Sequence, residues 1–172
     1  MFKYKIRNHQ DIEKFVLQSE DFILNLMRGG NIDESLSEAA SLNCANVSYL
    51  LAYHFKNNTK GIKDIFTFEG IGEGLTEARG HEILGIQGNY GVSAIDGTIW
   101  QFLPDDKHMR VYGPFNDEVL AVDFISKEYS GTWKMKRIPE FFLTDTGVDE
   151  TVRLLELAAE RRNIRRKDIS LK

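Results

Sequence analysis

The chain has 172 residues, 42% of them hydrophobic and 28% charged, which suits an ordinary globular protein with a substantial core and is read as one domain spanning 1–172. A formal net charge of −4 leaves no basic footprint for nucleic acid, and a single cysteine excludes an intramolecular disulfide and a cysteine-rich zinc module. No apolar run reaches membrane-spanning length, and Met1-Phe2-Lys3-Tyr4 does not lead into a signal-peptide core, so the expected setting is the cytoplasm or export without a classical signal, with no membrane partner.

Residues 1–7 form a short extended lead-in, with Phe2, Tyr4 and Ile6 alternating. Asn8 followed by Asp11 resembles a helix start, and Ile12, Phe15, Val16, Phe22, Ile23 and Leu26 recur at helical spacing up to Gly29-Gly30. Asn31 with Glu34 caps a further short helix over Ile32–Ala40. Both helices are expected to pack on a sheet and to carry no chemistry.

The lone cysteine comes next. Cys44, Ser48, Leu51 and Phe55 fall with Val47 on one helical stripe, and Ser41 in the N-cap position would place Cys44 in the first turn. There the positive end of the helix favours a thiolate, and the unpaired amides can hold an oxyanion. The same pattern also suits a small buried hydrophobe. His54 lies nearly three turns further on, about 15 Å along the axis, too far to serve as base. His9 and His108 stand in polar, loop-like surroundings with no consistent carboxylate partner.

Asn57–Gly61 ends this helix and Asp64–Phe68 reads as a strand. Gly70-Ile71-Gly72-Glu73-Gly74 lacks both the phosphate-loop and the dinucleotide spacing and is expected to be a flexible loop beside the site. Glu69, Glu73 and Glu77 make no metal pattern and are expected to be solvated.

Gly80–Leu103 is the informative stretch. His81–Gln87 and Val92–Ile95 flank Gly88-Asn89-Tyr90-Gly91, a turn rich in residues that tolerate positive φ, and so predict a hairpin. If the turn closes symmetrically, residue numbers across the ladder sum to about 178, which puts His81 opposite or diagonal to Asp96. An imidazole with a carboxylate at that spacing is a base with its orienting acid. The plainer alternative is a sheet-end histidine beside an ordinary Asp96-Gly97 turn.

After the polar loop Pro104–Lys107, Met109–Tyr112, Val119–Phe124 and Gly131–Ile138 are expected to be three further strands, Val119–Phe124 a central one because both its sides are apolar. A closing helix starts at Thr144–Asp149, with Val148, Val152, Leu155 and Ala159 on its stripe. The basic run Arg161–Lys167 reads as a solvated helix end complementing the dipole, or as a surface for acidic protein or phosphate. The expected fold is α+β: N-terminal helices with the cysteine at a helix start, packed on an antiparallel sheet of about five or six strands, and a closing C-terminal helix.

The order cysteine at a helix start (Asn43-Cys44-Ala45-Asn46-Val47), histidine on a strand (Gly80-His81) and acid on the next strand (Ala94-Ile95-Asp96-Gly97-Thr98-Ile99-Trp100-Gln101-Phe102) resembles the papain-like, or transglutaminase-like, cysteine hydrolases. The last run is similar to a segment of bacterial papain-fold toxins and glutamine deamidase effectors. The resemblance covers Cys44 to Phe102 and implies a papain-like fold, with Cys44 as nucleophile, His81 as general base and then acid, and Asp96 orienting His81. It also implies an acyl-thioester intermediate, a protein substrate, delivery into a host cell as one possible setting, and no cofactor or metal. Asn43, Trp100 and Gln101 are the candidate oxyanion-hole or substrate-binding residues. The chain departs from the proteases of that group in having no Gln between Glu38 and Asn43 and no Trp directly after Cys44.

Three readings stand at this level. The first is a cysteine-dependent amide hydrolase, with side-chain glutamine deamidation ahead of peptide cleavage and transglutamination by the same trio also open. The second is a non-catalytic α+β protein-interaction domain with an inert Cys44. The third, a metal site of Cys44, His81 and Asp96, lacks a ligand-spaced pair.

Overall fold

The computed structural model describes residues 3–72 and 80–170, with side chains up to residue 166. In chain order the elements are β1 (Tyr4–Lys5), α1 (His9–Arg28), α2 (Leu36–Ala40), α3 (Cys44–Asn58), β2 (Thr59–Lys60), β3 (Ile62–Ile71), β4 (Gly80–Gly88) and β5 (Gly91–Asp96). A 3₁₀ turn (Ile99–Gln101), β6 (Arg110–Phe115), α4 (Glu118–Tyr129), β7 (Thr132–Arg137), a second 3₁₀ turn (Glu140–Leu143) and α5 (Asp145–Ser170) complete them. The fold is α+β. A five-stranded antiparallel sheet runs in the order β6-β5-β4-β3-β7, and β1 pairs in parallel with β2 as a separate ribbon.

The sheet is built around the hairpin β4–β5. Its ladder runs from Leu84–Ile95 to Gly88–Gly91, pairs whose numbers sum to 179 rather than the expected 178. Along β4 successive side chains alternate between faces. Gln87 reaches Glu118 of α4 from one face, while Ser93, on the other, meets His9 of α1. Both faces are therefore covered, and β4 is buried almost throughout. Phe66, Phe68, Ile83, Leu84 and Ile95 of the sheet join Val47, Leu51 and Phe55 of α3, Ile12 and Ile23 of α1, and Ala121 and Ile125 of α4 in one hydrophobic core. Each large apolar side chain withdrawn in this way contributes about 1.5–3 kcal/mol.

The structure corrects four expectations. Val119–Phe124 is not a central strand but the first half of α4. Asp117 caps that helix by accepting the Leu120 amide at 2.9 Å, and the buried positions Ala121, Ile125 and Tyr129 follow a four-residue spacing while Val119 and Leu120 remain exposed. Secondly, Asn31 and Glu34 start no helix: α2 is capped by Ser35, whose Oγ receives the Glu38 amide and donates to the Glu38 carboxylate. Thirdly, Ser41 closes α2 rather than opening α3, whose N-cap is Asn43, so Cys44 is the first residue of its helix. Fourthly, the basic run is not wholly solvated. Arg162 and Arg166 turn inward onto Glu34, a carboxylate with no exposed side-chain surface, at 2.8 and 3.2 Å. Two cations on a buried anion tie the link after α1 to α5.

Phe22 lies on the α1 stripe yet is 47% exposed, its ring edge against His54. No helix among the described residues is long and apolar enough to cross a membrane. The glycine-rich segment falls partly outside the described residues: Gly70 and Ile71 end β3, whereas Glu73, Gly74 and Glu77 lie beyond what is described. Glu69 is not merely solvated, since Lys134 and Lys136 of β7 bind it at 3.1 and 2.9 Å.

Candidate active site

Three elements bring the sequence candidates together. Leu84 pairs with Ile95 at the outer end of the β4–β5 ladder, and in that register His81 lies on the same face as Asp96, two residues from the position opposite it. α3 comes down on the same end of the sheet. Ser48, one turn beyond Cys44, donates to the Glu82 carbonyl at 3.1 Å, and a Cβ at Gly97 would collide with Val47. The chain enters α3 through Leu42, a non-glycine residue in the left-handed region (φ 64°) that is also 69% exposed. Such backbone is uncommon for a branched apolar residue and tends to persist where the surroundings over-determine it.

His81 Nε2 and Asp96 Oδ2 lie 2.9 Å apart, and neither side chain has exposed surface. Asp96 is fully partnered. Oδ1 accepts the Thr98 amide at 2.8 Å, and Oδ2 accepts the Tyr129 hydroxyl at 2.8 Å as well as the imidazole. Burial alone would raise the Asp96 pKa; the His81 charge and these hydrogen bonds outweigh it and hold the carboxyl below its ordinary value. Burial likewise works to neutralise His81. The Asp96 carboxylate, with a further contribution from the Cys44 sulfur, prevails and raises the imidazole to about 10. The ring is thus an imidazolium at neutral pH.

The other nitrogen of His81 faces a different situation. Nδ1 is buried with no hydrogen-bond partner of good geometry among the described residues. The Cys44 sulfur is near enough to the imidazole to favour its charged form. Cys44 itself is half-buried and reduced. Around the imidazole stand Phe102, with ring centroids 4.8 Å apart, Tyr129 at 5.6 Å and Trp133 at 6.0 Å. Trp133 stacks over Gly70, directly across the ladder from His81, where any side chain on Gly70 would displace the indole. These rings exclude water from the imidazole while Cys44 keeps access to solvent.

The remaining candidates separate. Trp100 is fully buried, and its indole N–H donates to the Asp106 carbonyl at 2.8 Å; it braces the loop after the 3₁₀ turn and has no surface to offer a substrate. Asn43 is buried and its side-chain amide donates to the Ala39 carbonyl at 2.9 Å, so it stiffens the α2–α3 junction rather than reaching toward a ligand. Because Asn43 makes no side-chain cap, the first amides of α3 keep their donors. Gln101 Nε2 is buried without a partner among the described residues and adjoins Phe102, which touches the imidazole. It is the one of the three with a donor to spare.

His9 and His108 do have carboxylate neighbours, contrary to the sequence expectation: His9 lies 3.6 Å from Glu13 and 2.8 Å from Ser93 Oγ, and His108 lies 2.8 Å from Glu20. Burial lowers the His9 pKa despite Glu13. Neither has a cysteine beside it. Sequence reasoning missed Tyr129, because its helix was read as a strand; Asp117 with Ala121, Ile125 and Tyr129 at intervals of four was the available signal. Among the described residues no cluster of three or more His, Cys, Asp or Glu side chains is arranged to hold a metal ion. Compared with protein-family models, curated proteins and solved structures, the chain returned no match.

Proposed function

We propose that this protein is a cysteine-dependent amide hydrolase in which Cys44 is the nucleophile, His81 the acid and base, and Asp96 the group that orients His81. The observation that carries the reading is the buried His81–Asp96 pair at 2.9 Å, with the opposite ring nitrogen unpartnered among the described residues and a half-buried cysteine at a helix N-terminus close enough to favour the imidazolium. A helix N-terminus and a neighbouring imidazolium are the two settings that most favour a thiolate. An inert structural cysteine needs neither.

In the reaction, the Cys44 thiolate attacks the amide carbon and the first amides of α3 hold the oxyanion, with Gln101 as a further donor. His81 Nδ1 gives its proton to the departing nitrogen, the C–N bond breaks, and ammonia or an amine leaves a thioester on Cys44. Water then attacks the thioester while neutral His81 takes its proton, and the carboxylate product leaves as the thiolate reforms. Glutamine side chains of a protein are the favoured substrate class, on the strength of the likeness of Asp96–Phe102 to glutamine deamidase effectors, and the fold is read on the same basis as papain-like.

The test has two parts. Alkylation by iodoacetamide is followed from pH 5 to 9 in the native protein, Cys44→Ala and His81→Ala. Ammonia release from glutamine-containing peptides is then measured with the same proteins. The proposal expects Cys44 to react well below the ordinary thiol range of about 8.5, with both reactivity and ammonia release lost in His81→Ala. A Cys44 that reacts only once the protein unfolds would make this a binding domain instead.

A further inference from the structure

Asp96 is more elaborately held than an orienting carboxylate needs to be. Its Oδ2 is shared between His81 and Tyr129, and the Tyr129 oxygen lies 2.8 Å from the Tyr112 hydroxyl. The proton order in this chain is fixed by elimination. Asp96 is ionised and has nothing to donate, so Tyr129 donates to it, and the Tyr129 oxygen is left to accept from Tyr112. Four elements thereby meet in one line: β6 through Tyr112, α4 through Tyr129, β5 through Asp96 and β4 through His81. Burial and the Asp96 charge keep the Tyr129 phenol protonated, so it is a donor toward Asp96 while its oxygen accepts from Tyr112.

Backbone geometry gives a second, independent sign. The residue after Tyr129, Ser130, has φ 61° and ψ −172°, a conformation that residues with a side chain rarely adopt. That turn ends α4 at Tyr129 and lets the Ser130 carbonyl take the Trp133 indole N–H at 2.6 Å. Tyr129 and Trp133 are thus fixed on two sides of the imidazole by one short, strained segment.

We infer that Tyr129, backed by Tyr112, is a positioning residue that acts through Asp96 to keep the carboxylate aimed at the His81 imidazole. This rests on the hydrolase reading for its consequence in reactivity, though not for its spectroscopic consequence. Because the role is exerted through Asp96, it disappears once Asp96 no longer carries the charge that Tyr129 stabilises.

A double-mutant cycle reads this directly. Rates of Cys44 alkylation by iodoacetamide at pH 7 are compared for the native protein, Tyr129→Phe, Asp96→Asn and the double variant, with thermal melts as a folding control. Tyr129→Phe is expected to slow alkylation by about tenfold in the native background and by less than about twofold in Asp96→Asn, since residues acting as one unit are not additive. An equal factor in both backgrounds, or no effect in either, overturns the inference. The imidazole Nε2 proton of His81, followed by NMR, gives the readout that needs no catalysis: its resonance shifts or is lost to exchange in Tyr129→Phe, and an unchanged resonance overturns the proposal. Tyr112→Phe, which removes only the distal hydroxyl, is expected to give the same pattern at about twofold to threefold and serves if Tyr129→Phe does not fold. A native protein whose Cys44 is unreactive while the resonance still responds to Tyr129→Phe would remove the hydrolase reading and leave the positioning role standing.

Discussion

Among the described residues, the histidine–carboxylate pairs His81–Asp96 at 2.9 Å and His108–Glu20 at 2.8 Å are of nearly equal length and have opposite surroundings. The first has no exposed side-chain surface on either partner, while the His108 side chain is 62% exposed against a buried Glu20. In both, the carboxylate is shared with a backbone amide, Thr98 for Asp96 and Met109 for Glu20. What differs is the rest. Asp96 has Tyr129, His81 has an aromatic enclosure, and a cysteine is near enough to that ring to favour its charged form. Glu20 fastens α1 to the start of β6, and His108 merely covers it. A short distance between imidazole and carboxylate therefore does not distinguish the two pairs; the dry environment and the neighbouring cysteine do, and these are what the proposed site rests on.

The sharpest way to break this contrast is to remove the reacting groups. Cys44→Ala is expected to abolish ammonia release and iodoacetamide labelling, and His81→Ala to lower both by on the order of 10³-fold, whereas His108→Ala leaves both unchanged. Equal losses from the two histidine variants would erase the distinction. Next in size is the cost of leaving one buried partner alone. Asp96→Asn is expected to lose about 3–5 kcal/mol in urea unfolding, because the imidazolium is stranded in a dry site. Glu20→Ala, which orphans the Met109 amide, is expected to lose about 1–3 kcal/mol with labelling unaffected.

A pH series sharpens the same comparison. The His81 pKa is raised in the folded protein to about 10 from an ordinary 6.5. Its stabilising contribution is therefore complete below 6.5 and is lost as pH rises through about 10. Urea midpoints should decline between these limits in the native protein and lie flatter in His81→Gln. Asp96 titrates the opposite way: its lowered pKa contributes stability above the ordinary carboxyl value, lost as pH falls through the folded one. The smallest effect is expected from His108→Ala, within about 0.5 kcal/mol of the native protein, as for other exposed ion-pair partners.

The half of the site built by local geometry was legible in the sequence. Gly88–Gly91 marks the hairpin, but the register closes on numbers that sum to 179 rather than the expected 178, and that one-residue difference is what puts His81 and Asp96 on the same face. Cys44 at a helix start was also readable, although the cap was placed two residues early, because Ser41 and Asn43 are equally good capping residues by type and only the end of α2 at Ser41 decides between them. Long-range partners were not legible. Glu20 meets His108, and Glu34 meets Arg162, across separations that no turn or periodicity encodes. Tyr129 was hidden for another reason. Val119–Phe124 is apolar at every position but Asp123, and because Val119 and Leu120 are apolar yet exposed its composition carries no clear period, so helix and buried strand look alike over six residues. Trp100 and Asn43 show the converse error, in which residues adjacent to a site in sequence are spent on the scaffold.

The line from β4 to α4 has a consequence for how the protein comes into being. Cys44, His81, Asp96 and Tyr129 leave the ribosome in that order, and the last of them caps the set. On the hydrolase reading, a growing chain would carry its thiol through the synthesis of β4, β5 and α4 before the groups proposed to activate it are all present. A chain cut short before Tyr129 would then hold Cys44 without the hydroxyl that binds Asp96.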